Sequence, residues 1–552
     1  MSVLADYDMV LALSIEQINE QFRQLCNEGI LDKSWETQLS DDGSELDAKI
    51  KEFKLSALKD ENRRVLFTIS FESGKLRYWK GRGPKSTKEE LDMQGCEYAF
   101  AIKVAQLECK VEKISEEFFI TKKANEAMIK IIEGSSIPAK FFTVESLFLD
   151  FQNANVAEFD TTKSILKFKD DPDALETFQS LITGYLRKFR GSKNPYILGY
   201  NLKLLPNLSP ISEAIFKPTY CTFSISYHDK KELQALNFLM MTENQKKPSE
   251  QSAGILDKSL ITNQNIHGNF AISFKLFESK ILTEIIDNFK ESYKRAIEVL
   301  KEGKKPDFKK EDGNFFVGKK VKASLKKTTS FELTRVDNKE GYKWETKSPY
   351  IFELDAEEHE ESWGRKDDNT YNEKTLMYSS IELINHQTKL ELFVNLEIKV
   401  EQTSKKCGGY FNDPNDYYKC DEKTGEVDNF NSPASISIYI EAGTKGELTI
   451  SYTVNEGKLN YDKSIQYREI DGSLREFFSS FHNSLNGIAG SMKKDLESKI
   501  GNYFAAKIIL PLGNLYTFKN IRLHKKSDKS DIEGDAVICD ITYAPIYSPV
   551  EK

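Results

Sequence analysis

The segment Gly313-Asn-Phe-Phe-Val-Gly318-Lys319-Lys320 comes within one residue of the phosphate-loop pattern, in which backbone N–H groups cradle phosphates and a terminal hydroxyl binds magnesium. Lys320 stands where that hydroxyl is needed, and Phe315-Phe316-Val317 reads as strand, so no nucleotide site is expected there. Gly81-Arg82-Gly83-Pro84-Lys85-Ser86 is a basic, glycine-rich turn, and Ser86 with Glu89 has the spacing of a capping box. The spacing predicts a helix start that could take a phosphate-bearing group on Arg82 and Lys85; the plain alternative is a solvated turn.

The six histidines, His228, His267, His359, His386, His482 and His524, are scattered, with no zinc-protease helix and no paired-cysteine spacing. Asp355-Ala-Glu357-Glu358-His359-Glu360-Glu361 lacks the spacing and the glycine of a calcium loop and reads as a solvated acidic loop. No Gly-x-Ser-x-Gly elbow is present, and no serine or cysteine is tied by spacing to a base. The expectation is therefore a chain with no catalytic residue, no metal and no cofactor.

Seven cysteines, an odd number set mostly in apolar patterns, suit reduced, packed thiols. Cys407 and Cys420 bracket the segment Gly408 to Lys419 and read by default as reduced surface-loop cysteines, closing a disulfide under oxidising conditions. The apolar run Met9 to Leu13 is too short for a signal segment and has no basic region before it, so synthesis in the cytoplasm is expected, with release by lysis or specialised export left open.

The chain of 552 residues has 78 Lys plus Arg against 86 Asp plus Glu, a net charge of -8 that disfavours nucleic acid as the main partner. With 39% hydrophobic residues, 35 Phe and 24 Tyr, it has enough apolar surface to offset ordering entropy and fold throughout most of its length.

Ser14-Ile15-Glu16-Gln17 is a capping box, followed by Ile15, Ile18, Phe22, Leu25 and Cys26 on one helical stripe and Gly29 as the stop. Period-two alternation at Val65 to Phe71 and Tyr98 to Val104 predicts half-buried antiparallel strands, the latter running long. Asp171-Pro172 starts a second helix, and Ile281, Leu282, Ile285, Ile286, Phe289, Tyr293, Ile297 and Leu300 stripe a third that begins near Ser279. Between these helices, Ala235 to Thr242 is apolar on both faces, which requires cover on both sides.

Lys301 to Asp312 reads as a linker, so the expected organisation is two lobes, 1–305 and 306–552. The second half repeats the style of the first, with alternating strands around Phe315 to Phe331, Leu376 to Ile384, Leu390 to Val400, Ile436 to Ile440 and Leu448 to Val454. A helix close to thirty residues long then carries Leu474, Phe477, Phe478, Phe481, Leu485, Ile488, Met492, Leu496 and Ile500, with Gly487 and Gly490 as places to bend. The apolar helix faces either pack as core or line a groove for acyl chains. On the second reading Phe22, Leu25, Leu282, Ile285, Ile286, Phe289, Phe477, Phe481 and Leu485 are the lipid-facing candidates.

The opening Tyr7-Asp-Met-Val-Leu-Ala-Leu-Ser14 leading to Phe22, the doubly apolar Ala235 to Thr242, and the closing Ile509-Leu-Pro-Leu-Gly-Asn-Leu-Tyr-Thr-Phe-Lys519-Asn520 with Asp540-Ile-Thr-Tyr543 resemble the P-forty-seven and OrfX-type proteins. These belong to the tubular lipid-binding (TULIP) superfamily, with bactericidal/permeability-increasing protein. The resemblance implies an α+β fold of long, curved antiparallel sheets wrapped around long amphipathic helices, with grooves for lipid. It also implies gene clusters of neurotoxic or insecticidal proteins, whose other products become partners to consider. The function expected is non-enzymatic binding of a lipid or other hydrophobic ligand, accessory to a bacterial toxin. The alternatives are an interaction scaffold with a filled groove, or an insecticidal toxin acting at a membrane surface. The second-half segments Asp355 to Tyr371 and Cys407 to Asn431 have no counterpart in the family pattern.

Overall fold

The computed structural model describes the chain from Leu4 to Tyr543, except for residues 82, 135–136, 157, 206–217, 243–255, 257–258, 304–317, 328–331, 338–340, 363–364, 386–388, 411–418, 443–447, 457–459, 463–467, 497–507, 514–515 and 525–534. Contacts divide it into two units: Met1–Glu278 with Ile440–Ile450 and Asp495–Lys552, and Ser279–Tyr439 with Ser451–Lys494. The chain thus passes to the second unit after Glu278, contributes Ile440–Ile450 to the first again, and returns to the first at Asp495.

The first unit holds an antiparallel six-stranded sheet in the order Tyr516–His524, Ala536–Tyr543, Gly268–Ser273, Met9–Ser14, Ala235–Met241, Tyr220–Ser226. Two of its interior strands, Met9–Ser14 and Ala235–Met241, are buried at every residue, as a doubly apolar sequence demands. One face packs Val10, Leu239, Ala271 and Ile538 under Leu256, Leu260 and Ile261. Opposite Leu13, Gly268 carries no side chain for good reason: a Cβ there would lie 2.2 Å from the Ala12 carbonyl oxygen.

An eight-stranded sheet in the same unit runs Ser34–Gln38, Glu45–Ala57, Arg64–Lys80, Glu97–Lys110, Phe142–Leu149, Ile197–Leu204, Ile508–Ile509, with Thr87–Asp92 added beside Arg64–Lys80. The helix Ile15–Asn27 is capped as its sequence predicts, Gln17 N–H donating to the Ser14 hydroxyl at 3.0 Å, and Gly29 follows it at φ +71°. It buries Ile18, Phe22 and Leu25, and Asn19 exchanges two hydrogen bonds with the Leu55 backbone (2.7 and 3.1 Å), which fixes its seat on the strand Glu45–Ala57. The Pro172–Leu186 helix sends Phe178 into a ring cluster with Phe71, Tyr98 and Phe168. A further helix, Lys122–Glu133, is not foreshadowed by any of the sequence patterns above.

Two local expectations are corrected. Ser86 opens no helix: its hydroxyl bonds the Gly83 carbonyl at 2.9 Å, and Thr87–Asp92 pairs as a strand along Lys75–Lys80, so ladder hydrogen bonds prevail over a cap with no apolar stripe behind it. The acidic run Asp355 to Glu361 is not a loop but lies within the strand Tyr350–Ser362. Its backbone pairs in register with Gly318–Lys327 on one side and Arg365–Asn385 on the other, and these ladders hold it extended. The near phosphate loop ends in that lysine-bearing strand, Gly318–Lys327, while residues 313–317 lie outside the described residues.

The second unit is built on a nine-stranded antiparallel sheet whose main path is Gly318–Lys327, Tyr350–Ser362, Arg365–Asn385, Leu390–Tyr410, Lys419–Ala442, Leu448–Glu456. Leu333–Asp337, Gly341–Thr346 and Asn460–Asp462 pair off this path. Cys407 and Cys420 face each other in register and form a disulfide, where the default reading has free thiols on a loop. The helices Thr283–Gly303 and Arg468–Leu496 complete the unit, the first preceded by a π-turn at Glu278–Leu282. Helix continues through Gly487 and Gly490. The expected α+β class, with long antiparallel sheets and long amphipathic helices, is the one observed.

Candidate functional site

Alternation gives the nine-stranded sheet one apolar face. In register, Ile381, Val394 and Ala434 form one row across three strands, and Met377, Ile398 and Phe430 form another, all buried. The neighbours that alternate with them, Tyr378, Phe393 and Glu397, are exposed. Between the two rows lies one in which two hydroxyls flank a leucine, the polar row of this face: Ser379, Leu396 and Ser432.

Both long helices reach that row. Burial pushes the Tyr293 phenol well above its ordinary pKa, and interaction with the Ser379 hydroxyl offsets part of the rise. Nε2 of His482 lies 2.7 Å from the Ser432 hydroxyl. A serine beside a histidine invites comparison with a nucleophile and its base, but Ser432 is completely buried on the sheet and the pair serves to anchor the helix.

Leu282, Ile285, Ile286, Phe289, Phe481 and Leu485, six of the lipid-facing candidates, are buried in this unit at 6% exposure or less. Phe477 lies in the Arg468–Leu496 helix with its side chain outside the described residues. Phe22 and Leu25 belong to the first unit. Arg82 is outside the described residues; Lys85 is exposed at the end of a short 3-10 turn, Gly83–Lys85.

The sequence patterns do not reveal a buried ionic cluster on the eight-stranded sheet. Lys203 Nζ lies 2.6 Å from Glu108 and 3.3 Å from Glu145, the Thr143 hydroxyl donates to Glu108 at 2.7 Å, and Gln106 donates to Glu145 and to the Cys221 carbonyl. Register explains the meeting: Glu108 stands opposite Glu145, and Thr143 opposite Lys203. Burial raises the Glu145 carboxyl above its ordinary pKa although Lys203 opposes the shift. For Glu108 the bonds from Lys203 and Thr143 together outweigh burial and lower it. Lys203 is raised, because the two carboxylates overcome its desolvation. Cys221, buried beside them, has its thiol pushed far up by burial, so it is no nucleophile. Single charged residues inside strands carry no spacing signal, which is why only the pairing reveals the cluster.

On the six-stranded sheet, Asn237 donates to Ser226 at 2.7 Å and Asn269 donates to Asp540 at 2.8 Å, with Arg522 also on Asp540. Among the described residues no three His, Cys, Asp or Glu side chains are grouped to hold a metal ion, and no helix is long and apolar enough to cross a membrane.

No family model matches the chain, and no curated protein matches it. Among solved structures it is similar to P47 of Clostridium botulinum E1, at 10% identity and a TM-score of 0.39, over 98% of this chain and 99% of that one. P47 from Clostridium botulinum A2 is similar at 12% identity and a TM-score of 0.39, over 98% of each chain. A lipopolysaccharide binding protein is similar at 11% identity and a TM-score of 0.28, over 99% of this chain and all of the other.

Proposed function

We propose that this chain is a non-enzymatic, tubular lipid-binding type of protein that holds a lipid or other hydrophobic ligand along the apolar face of its nine-stranded sheet, as an accessory to a bacterial toxin. One observation carries the ligand reading. The Arg365–Asn385 and Leu390–Tyr410 strands have 21 residues each, about 70 Å at roughly 3.3 Å per residue. The Thr283–Gly303 and Arg468–Leu496 helices have 21 and 29 residues, about 32 and 44 Å at roughly 1.5 Å per residue. The apolar rows end near Val400, about halfway along these strands, so the helices can span them, and an acyl chain would lie on that face beside the helices rather than beyond their ends. The toxin association is supported by the sequence resemblance alone. The Cys407–Cys420 disulfide supports release into an oxidising compartment.

Uptake of a fluorescent fatty acid, competed by unlabelled phospholipid, tests the ligand reading. Saturable uptake supports it, and a protein that takes up no probe at any concentration contradicts it. A second reading has a specific observation behind it: Leu282, Ile285, Phe289, Phe481 and Leu485 are essentially inaccessible, as they would be in an interaction scaffold whose interior is filled by its own side chains. A stable complex with a neighbouring gene product, formed by protein free of lipid, favours that reading.

A further inference from the structure

Arg63 lies in the turn between the strands Glu45–Ala57 and Arg64–Lys80 of the eight-stranded sheet. The turn is held on two sides: Ile225 N–H, on the edge strand of the six-stranded sheet, donates to the Asn62 carbonyl at 2.9 Å, and Val104 N–H donates to the Arg63 carbonyl at 3.0 Å. The backbone that carries the guanidinium is therefore positioned before anything binds to it.

The side chain is half-buried, with Nη1 and Nη2 each 3.2 Å from the Thr222 hydroxyl and the guanidinium carbon 4.4 Å from the centre of the Phe223 ring. Neither partner carries charge. Arg23, Arg64, Arg77, Arg365 and Arg522 each contact a carboxylate, and Arg63 contacts none among the described residues. Glu61, two residues away, is engaged by Arg64. The ionisable groups that face Arg63 are the phenols of Tyr7 and Tyr220, and burial without a counter-ion lowers its pKa.

A partly desolvated guanidinium with no opposite charge is costly, and it keeps its planar fork of N–H donors largely unspent. That fork matches two oxygens of one oxyanion. We propose that Arg63, with the Thr222 hydroxyl beside it, is a binding site for a phosphate group, free or carried by a lipid headgroup. The site belongs to the first unit and does not depend on what the apolar face of the second unit holds.

The full chain is titrated with inorganic phosphate at low ionic strength, with sodium chloride as the ionic-strength control, following thermal midpoint and heat of binding. A parallel arm measures sedimentation with phosphatidylcholine vesicles with and without phosphatidic acid. Wild type is expected to respond to phosphate or to phosphatidic acid. Arg63→Met is expected to lose at least about tenfold in that affinity, roughly 1.4 kcal/mol, while Arg63→Lys, which keeps the charge and loses the fork, falls between them. Response to phosphatidic acid vesicles alone identifies a headgroup; response to inorganic phosphate identifies a free anion. A wild type that responds to neither, or an Arg63→Met protein that responds as wild type does, overturns the proposal. Should Arg63→Met not fold, Arg63→Lys and Thr222→Val decide: unchanged affinity in both overturns it, and weakened affinity in either supports it.

Discussion

Tyr293 and Phe481 stack with ring centroids 4.8 Å apart and planes inclined by 19°, joining the two long helices of the second unit. The contact lies where both helices meet the sheet's polar row, Tyr293 beside Ser379 and His482 on Ser432, with Leu396 between the two serines in register. Apolar rows above and below supply most of the burial, while the His482–Ser432 bond fixes one position for the Arg468–Leu496 helix along otherwise uniform strands.

Phe481 is fully buried, so Phe481→Ala is expected to destabilise the second unit by about 3–5 kcal/mol. Urea denaturation followed by a second-unit fluorescence probe checks this. A loss below about 1 kcal/mol would mean that the stacked pair does not hold the helices to the sheet.

Helices with a cap and a stripe are legible in the residues themselves: Ser14 and Asp171 cap where their spacing predicts, and Ala235 to Met241 is buried on both faces. Strand length is not legible. The apolar alternation of Leu390 to Val400 ends halfway along a strand that continues to Tyr410, because its outer half is held by backbone pairing and carries mostly polar residues, which leave no apolar period. The same reason hides the strand in Asp355 to Glu361, and a partner 95 residues away in sequence hides the Lys203–Glu108 pair.

Gly268→Ala is expected to cost about 1–3 kcal/mol, since its Cβ would lie 2.2 Å from the Ala12 carbonyl oxygen and 3.0 Å from Ile541 Cδ1 at the centre of the six-stranded sheet. Backbone on one side cannot yield as a flexible side chain could. An alanine variant with an unchanged urea midpoint would contradict the close approach of these strands.

Glu145 provides a pH test. Its folded pKa is raised above the ordinary 4.5, so its contribution to stability is fully present below that value and is lost as pH rises through the folded pKa. Glu145→Gln keeps a partner for Gln106 and removes the ionisation. The variant is therefore expected to gain on wild type as pH is raised from below 4.5 toward neutrality, measured as the difference in urea midpoint. A difference that stays flat or shrinks would show that Lys203 and Gln106 hold the carboxylate charged without penalty.

The disulfide closes a segment with a sequence separation of 13, a size for which chain entropy gives about 3 kcal/mol. Reduction, or replacement of both cysteines by serine, is expected to speed hydrogen exchange at the outer ends of the strands Leu390–Tyr410 and Lys419–Ala442 and to leave amides of Met9–Ser14 unchanged. Equal exchange with and without the bond would show that strand pairing alone fixes this hairpin.

Organic extraction of the natively purified protein, followed by mass spectrometry of the extract, tests the central claim most directly. A lipid or other apolar molecule recovered in stoichiometric amount, and absent from an extract of protein unfolded and washed before extraction, is the predicted result. Protein that carries nothing and stays empty after incubation with phospholipid and fatty acid would contradict the ligand reading and leave the nine-stranded sheet with a filled interior.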